Sequence, residues 1–150
     1  VNISDRRKSR NACLDLVDDA VPPLHDVRRW VELVLRGQPQ HCVRDAVLLV
    51  NELVSNVYDH GRPPRRVRMS LVPSRSVIRV EVDDGAPGRV PVLGVSRLGA
   101  HRGRGLLLVD RVSTGWSVRT FPGGKTVWAE IPCPVARQPA AARTALDSES

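Results

Sequence analysis

Apolar residues recur along this chain with two different periods, and the order of those periods lays out a fold. Between Pro22 and Gly37 they fall at Leu24, Val27, Trp30, Val31, Val34 and Leu35, the three-and-four spacing of an amphipathic helix ended by Gly37. A wider stripe runs from about His41 through Val43, Ala46, Val47, Val50, Leu53, Val54 and Val57, until His60-Gly61-Arg62-Pro63-Pro64 stops it. RRVRMSLV and SVIRVEVDD then alternate apolar and polar positions around Pro73-Ser74-Arg75, which predicts an antiparallel hairpin with one buried face.

Residues 85–104 are rich in Gly, Arg and Pro without sustained periodicity, and predict a long loop of the functional or mobile kind. GLLLVDRVS follows as a third helix with Gly103 and Gly105 at its start. TGWSVRTF and GKTVWAEI form a second hairpin around Pro122-Gly123-Gly124. Ahead of the first helix, CLDLVDDAV begins with the alternation of a short strand. The order strand, helix, helix, strand, strand, loop, helix, strand, strand predicts an α+β protein, a two-layer α/β sandwich with a mainly antiparallel mixed sheet and helices on one face.

A chain of 150 residues fits one domain, because a length in this range buries about two-thirds of the surface its unfolded form exposes. That domain is expected over residues 11–133, between a disordered basic N-terminus (1–10) and a disordered Pro/Ala/Ser tail (134–150). Hydrophobic residues make up 41% and aromatics only 3%, so the core is expected to be aliphatic. Trp116 and Trp128 sit in alternating strands and read as packing residues.

The net charge of +7 would attract any polyanion, yet the basic residues, nearly all Arg, are scattered and aromatic stacking platforms are few. The charge fits an acidic protein partner or a nucleotide better than specific nucleic acid. No apolar run approaches the roughly 20 residues needed to cross a bilayer, and no membrane or secretory segment is read, so a cytoplasmic protein is expected. Cys13, Cys42 and Cys133 are odd in number and widely spaced, which supports neither a disulfide framework nor a zinc site; buried or free thiols are expected.

Chemistry concentrates in four segments: NELVSNVYDHG (51–61), VEVDDGAPGRVP (80–91), HRGRGLLLV (101–109) and PGGKTVWAEI (122–131). In the first, Glu52 and Asn56 share one helical face, about 40° apart in arc and one turn along the axis, a placement suited to a metal-bound phosphate. Asn51 is about 100° round the helix from Glu52 and reads as a cap or surface residue. For Asp59 and His60, at the helix end, capping and a phosphate or metal contact are the two readings. In the third segment a Gly-x-Gly precedes an apolar helix, where free backbone N–H groups and the helix dipole favour a phosphate.

Together ELVSNVYDHG, DDGAPG, GRGLLLV and GGKTVW resemble the ATP-binding domain shared by gyrase, histidine kinases and mismatch-repair ATPases, the GHKL or Bergerat fold. Within it they look most like the bacterial anti-sigma-factor serine/threonine kinases, over about residues 12–132. The resemblance implies ATP and Mg²⁺ as cofactors. Glu52 would be the general base and Asn56 the Mg²⁺ ligand. Asp84, favoured over Asp83, would accept a hydrogen bond from the exocyclic amine of adenine, and Thr126 would assist there through its hydroxyl and water.

The resemblance further implies that Gly88 closes an Asp-x-Gly-x-Gly pattern, that Gly103, Gly105 and Leu106 line the phosphates, and that His101, Arg102 and Arg104 approach the γ-phosphate from a lid. Ala86 departs from that pattern at its first glycine, and Ala adopts left-handed backbone geometry less readily than Gly. A sigma factor, an anti-sigma-factor antagonist and a homodimer are the implied partners. The function expected is a regulatory kinase; the alternative is a nucleotide-binding module that acts by protein contact without catalysis.

Overall fold

The computed structural model describes residues 11–87 and 103–134, with the side chains of 103–106 left out. Its elements are β1 (Asn11–Leu16), α1 (Leu24–Val34), α2 (Gln40–His60), β2 (Arg65–Val72), β3 (Val77–Asp84), α3 (Gly103–Val112), β4 (Gly115–Phe121) and β5 (Gly124–Pro132). The five strands form one sheet in the order β1-β2-β3-β5-β4. All four pairings are antiparallel, in line with the mainly antiparallel sheet expected, and no parallel pair occurs among the described strands. β5 turns back from β4 and inserts beside β3, which keeps even the non-sequential pair antiparallel. α1 stops at Val34, short of Gly37.

One sheet face and the helices make the core. Val27, Trp30 and Val31 of α1 and Ala46, Leu49, Val50, Leu53, Val54 and Val57 of α2 pack with Val67, Met69, Ile78, Val80, Val82, Val127, Ala129 and Ile131 of the strands. The period of two along each strand sends the alternate residues to the opposite face. There Arg68 pairs with Glu81 and Asp83, Arg79 with Glu81 and Glu130, and the Arg79 guanidinium lies 4.3 Å from the centroid of Trp128. Trp128 therefore packs under an arginine on the outer face rather than in the aliphatic core.

Cys42, in the first turn of α2, and Cys133, just past β5, form a disulfide across a sequence separation of 91, while Cys13 is free and exposed. This corrects the expectation of thiols throughout. Spacing along the chain carries no trace of a bond that only the packing of α2 against β5 creates. The expectations for residues 1–10 and 135–150 lie outside the described residues. No described helix is long and apolar enough to cross a membrane.

Candidate functional site

α2 supplies the first part of the site. It contacts α1, α3, β3 and β5, so its flanks as well as its apolar stripe are covered. Glu52 and Asn56 are half-buried beside the buried Leu53, Val54 and Val57, and neither side chain has a hydrogen-bond or ion-pair partner among the described residues. Burial pushes the Glu52 carboxyl above the ordinary carboxylate range. A desolvated carboxylate without a partner, its pKa raised, is a stronger base than an exposed one and is suited to taking a proton.

Asn51 is neither cap nor surface residue: it is half-buried, and its Oδ1 is fully covered with no hydrogen-bond partner among the described residues. The crowding round α2 explains this correction, since a position about 100° from Glu52 still meets a neighbouring element. Asp59 and His60 are exposed at the end of the helix.

The second part lies where α2 ends against the end of β3. Gly61 caps α2, its N–H donating to the Val57 carbonyl at 3.0 Å, and a Cβ at Gly61 would meet Asp84 Cγ at 2.7 Å and Oδ2 at 2.9 Å. Gly85 N–H donates to the Arg62 carbonyl at 2.7 Å, which ties the two segments together. Gly124 closes the other side, where a Cβ would come within 2.3 Å of the Asp84 carbonyl oxygen. Asp84 is thus held in a tight backbone cradle and is buried.

The Asp84 side chain is almost fully engaged. Oδ1 accepts from the Ala86 N–H at 2.6 Å, and Lys125 Nζ stands 3.0 Å from Oδ2 while donating to the Ala86 carbonyl at 2.9 Å. The ammonium is within ion-pair distance of Oδ2 but off the direction of a hydrogen bond, so that buried oxygen has no hydrogen-bond donor among the described residues. Ala86 itself lies outside the left-handed region; among the described non-glycine residues only Ser76 has positive φ. The missing first glycine therefore imposes no backbone strain here.

Thr126 is on the wrong side of the sheet for the role the resemblance gave it. Register pairs Asp83 with Thr126 and Asp84 with Lys125. Thr126 Oγ1 donates to Asp83 Oδ1 at 2.6 Å on the outer face, where Arg68 Nη2 also reaches Asp83 at 2.8 Å. Lys125 is the residue that sequence reasoning missed, although its place in GGKTVW was visible.

The third part is the start of α3, which packs beside α2. Gly103 is its first residue and Gly105 its third, so the expected glycine-led helix start is formed. Gly88, His101 and Arg102 lie outside the described residues, as do the side chains of Arg104 and Leu106.

Residues 19–131 match the model of one protein family, the histidine kinase-like ATPase domain. The chain belongs to this family. It is an ATP-binding domain of kinase-like type, and its α+β architecture is the one the sequence pattern predicts. No curated protein matches it in sequence.

Two solved structures share the ATPase-domain fold. One comprises the RsbU and RsbW domains of Rv1364c from Mycobacterium tuberculosis, with a TM-score of 0.57 and 19% identity over 81% of this chain. The other is the blue-light activated histidine kinase EL346 of Erythrobacter litoralis, with a TM-score of 0.52 and 21% identity over 74% of this chain. The ATPase domain described here spans 32% and 41% of those two chains, respectively.

Proposed function

We propose that this ATPase domain is a protein serine/threonine kinase that moves the γ-phosphoryl group of ATP to a serine of an anti-sigma-factor antagonist, and that it also sequesters a sigma factor. The observation that carries the reading is the pair Glu52 and Asn56, half-buried on one face of α2 with no partner for either side chain among the described residues. A base that is desolvated and unpaired is what proton removal from a serine hydroxyl needs.

In that transfer Glu52 takes the hydroxyl proton as the serine Oγ–Pγ bond forms and the bond from Pγ to the bridging oxygen breaks, so ADP leaves with the electron pair. Positioning and charge neutralisation matter more than covalent chemistry in such a step. The half-buried Asn56 amide is a hard oxygen donor and fits Mg²⁺, which supplies charge neutralisation at the phosphates when bound.

The reading is tested by incubating the chain with γ-labelled ATP, Mg²⁺ and candidate antagonist proteins, alongside Glu52→Ala. Label on a partner serine with the wild type and none with the variant supports the kinase. ATP binding without transfer to any partner favours a nucleotide-gated binding module, the reading in which Glu52 is idle.

A further inference from the structure

Asp84 and Lys125 face each other across the pairing of β3 with β5, with side chains 0% and 3% exposed. Two opposite charges withdrawn from water are tolerated when their remaining hydrogen-bonding capacity is also met. Here it is met only in part. Oδ1 of Asp84 has the Ala86 N–H, whereas Oδ2 has the Lys125 charge 3.0 Å away and no hydrogen-bond donor among the described residues. An ammonium carries three N–H groups, and one of those on Lys125 goes to the Ala86 carbonyl.

An acceptor lacking a donor therefore sits beside a donor with capacity left over. Adenine presents the complement on adjacent atoms, an exocyclic amine that donates and ring N1 that accepts. Guanine in the same orientation presents the reverse, with O6 accepting and N1–H donating. We infer that Lys125 is a base-specificity residue of the nucleotide site, donating to adenine N1 while Asp84 Oδ2 accepts from the amine. The inference rests on the domain binding ATP at Asp84.

Rotation about the four-carbon stem swings the ammonium away from Oδ2 and opens the pair to the base while the Ala86 carbonyl keeps it nearby. Thr126 is in no position to serve, because its hydroxyl is bonded to Asp83 on the opposite face. A site that offers hydrogen bonds to a ligand rejects an analogue lacking the matching atom, since its own buried polar groups are then left unpaired.

Calorimetric titration of the full chain with the Mg²⁺ complexes of ATP, GTP and 1-deaza-ATP, in which N1 is replaced by C–H, tests this. Wild type is expected to bind ATP about tenfold more tightly than 1-deaza-ATP, and GTP more weakly still. Lys125→Met should bind ATP and 1-deaza-ATP equally, and Lys125→Arg, which keeps charge and donors, should retain the preference. A merely structural Lys125 would lower the affinity for both adenine nucleotides alike. Equal wild-type affinities for ATP and 1-deaza-ATP overturn the inference, even if Lys125→Met fails to fold. So does a preference that survives in Lys125→Met. Absence of any heat with ATP itself would remove the ATP site along with it.

Discussion

Gly61 and Asp84 approach so closely that a single methyl group on the glycine would lie 2.7 Å from the aspartate carboxyl carbon. The same methyl would lie 2.6 Å from the Val57 carbonyl oxygen, so the close approach fixes both the end of α2 and the orientation of the carboxylate. Neither backbone carbonyl nor buried carboxylate yields as the tip of a flexible side chain does. Gly61→Ala is expected to cost about 1–3 kcal/mol of stability, the usual range for overpacking. ATP affinity should fall with it. Denaturant unfolding and calorimetry check the two effects; an unchanged midpoint would show that the cradle has slack.

Glu52 gives the chain a pH dependence of definite sign. Burial raises its folded pKa above the unfolded value, so the contribution to stability is full below the unfolded pKa and is lost as pH rises through the folded one. Glu52→Gln should therefore gain on wild type across that window in urea unfolding and hold a constant advantage above it. Activity runs the other way. In the proposed reaction, transfer should rise with pH as the Glu52 carboxyl ionises, and Glu52→Gln should lower it by about 10²–10⁴-fold.

Glu130 acts in acid. Burial pushes its carboxyl up, but the hydrogen bonds and charges of Arg75 and Arg79 outweigh that and hold it below the ordinary carboxylate range. Both oxygens are engaged by Arg75, at 2.9 and 2.5 Å, and Oε1 also accepts from Arg79 at 3.0 Å. With the folded pKa depressed, the stabilisation is present above the unfolded value and disappears as pH falls through the folded value. Because Arg75 is 59% exposed, Glu130→Gln is expected to cost only about 1 kcal/mol at neutral pH. The difference from wild type should vanish in strong acid when melting is followed against pH.

Reduction of Cys42–Cys133 should lower stability by about 2–4 kcal/mol, the range for a bond closing a long loop. Denaturant midpoints with and without a thiol reductant measure it. The variant with both Cys42→Ser and Cys133→Ser should be insensitive to reductant. Maleimide labelling of the oxidised wild type should modify Cys13 alone.

Much of this architecture is legible in the amino-acid sequence. The stripe from Val43 to Val57 places α2, and with it Glu52 and Asn56, because a period of 3.6 leaves little choice of face. The alternation in β2 and β3 likewise puts Val80 and Val82 inside. What was not readable depended on register. Thr126 and Lys125 are neighbours in sequence, and in a strand that places them on opposite faces. Alternation puts Lys125 on the inner face with Val127 and Ala129, as it puts Asp84 there with Val80 and Val82, but that the two stand opposite each other follows from the pairing of β3 with β5, which no local pattern specifies. The half-burial of Asn51 is hidden for a related reason: α2 is flanked by α1, α3, β3 and β5, which the pattern within α2 does not show.

Cys42 and Cys133 close a covalent ring, and Glu52, Asn56, Asp84, Lys125 and the start of α3 all lie on its circumference. One peptide-bond cut anywhere between the two cysteines opens the ring without parting it. The halves then travel as a single species until a reductant is added. Those halves still carry Glu52, Asn56, Asp84 and Lys125 in one molecule, so a chain nicked once within the ring keeps these residues together at any dilution.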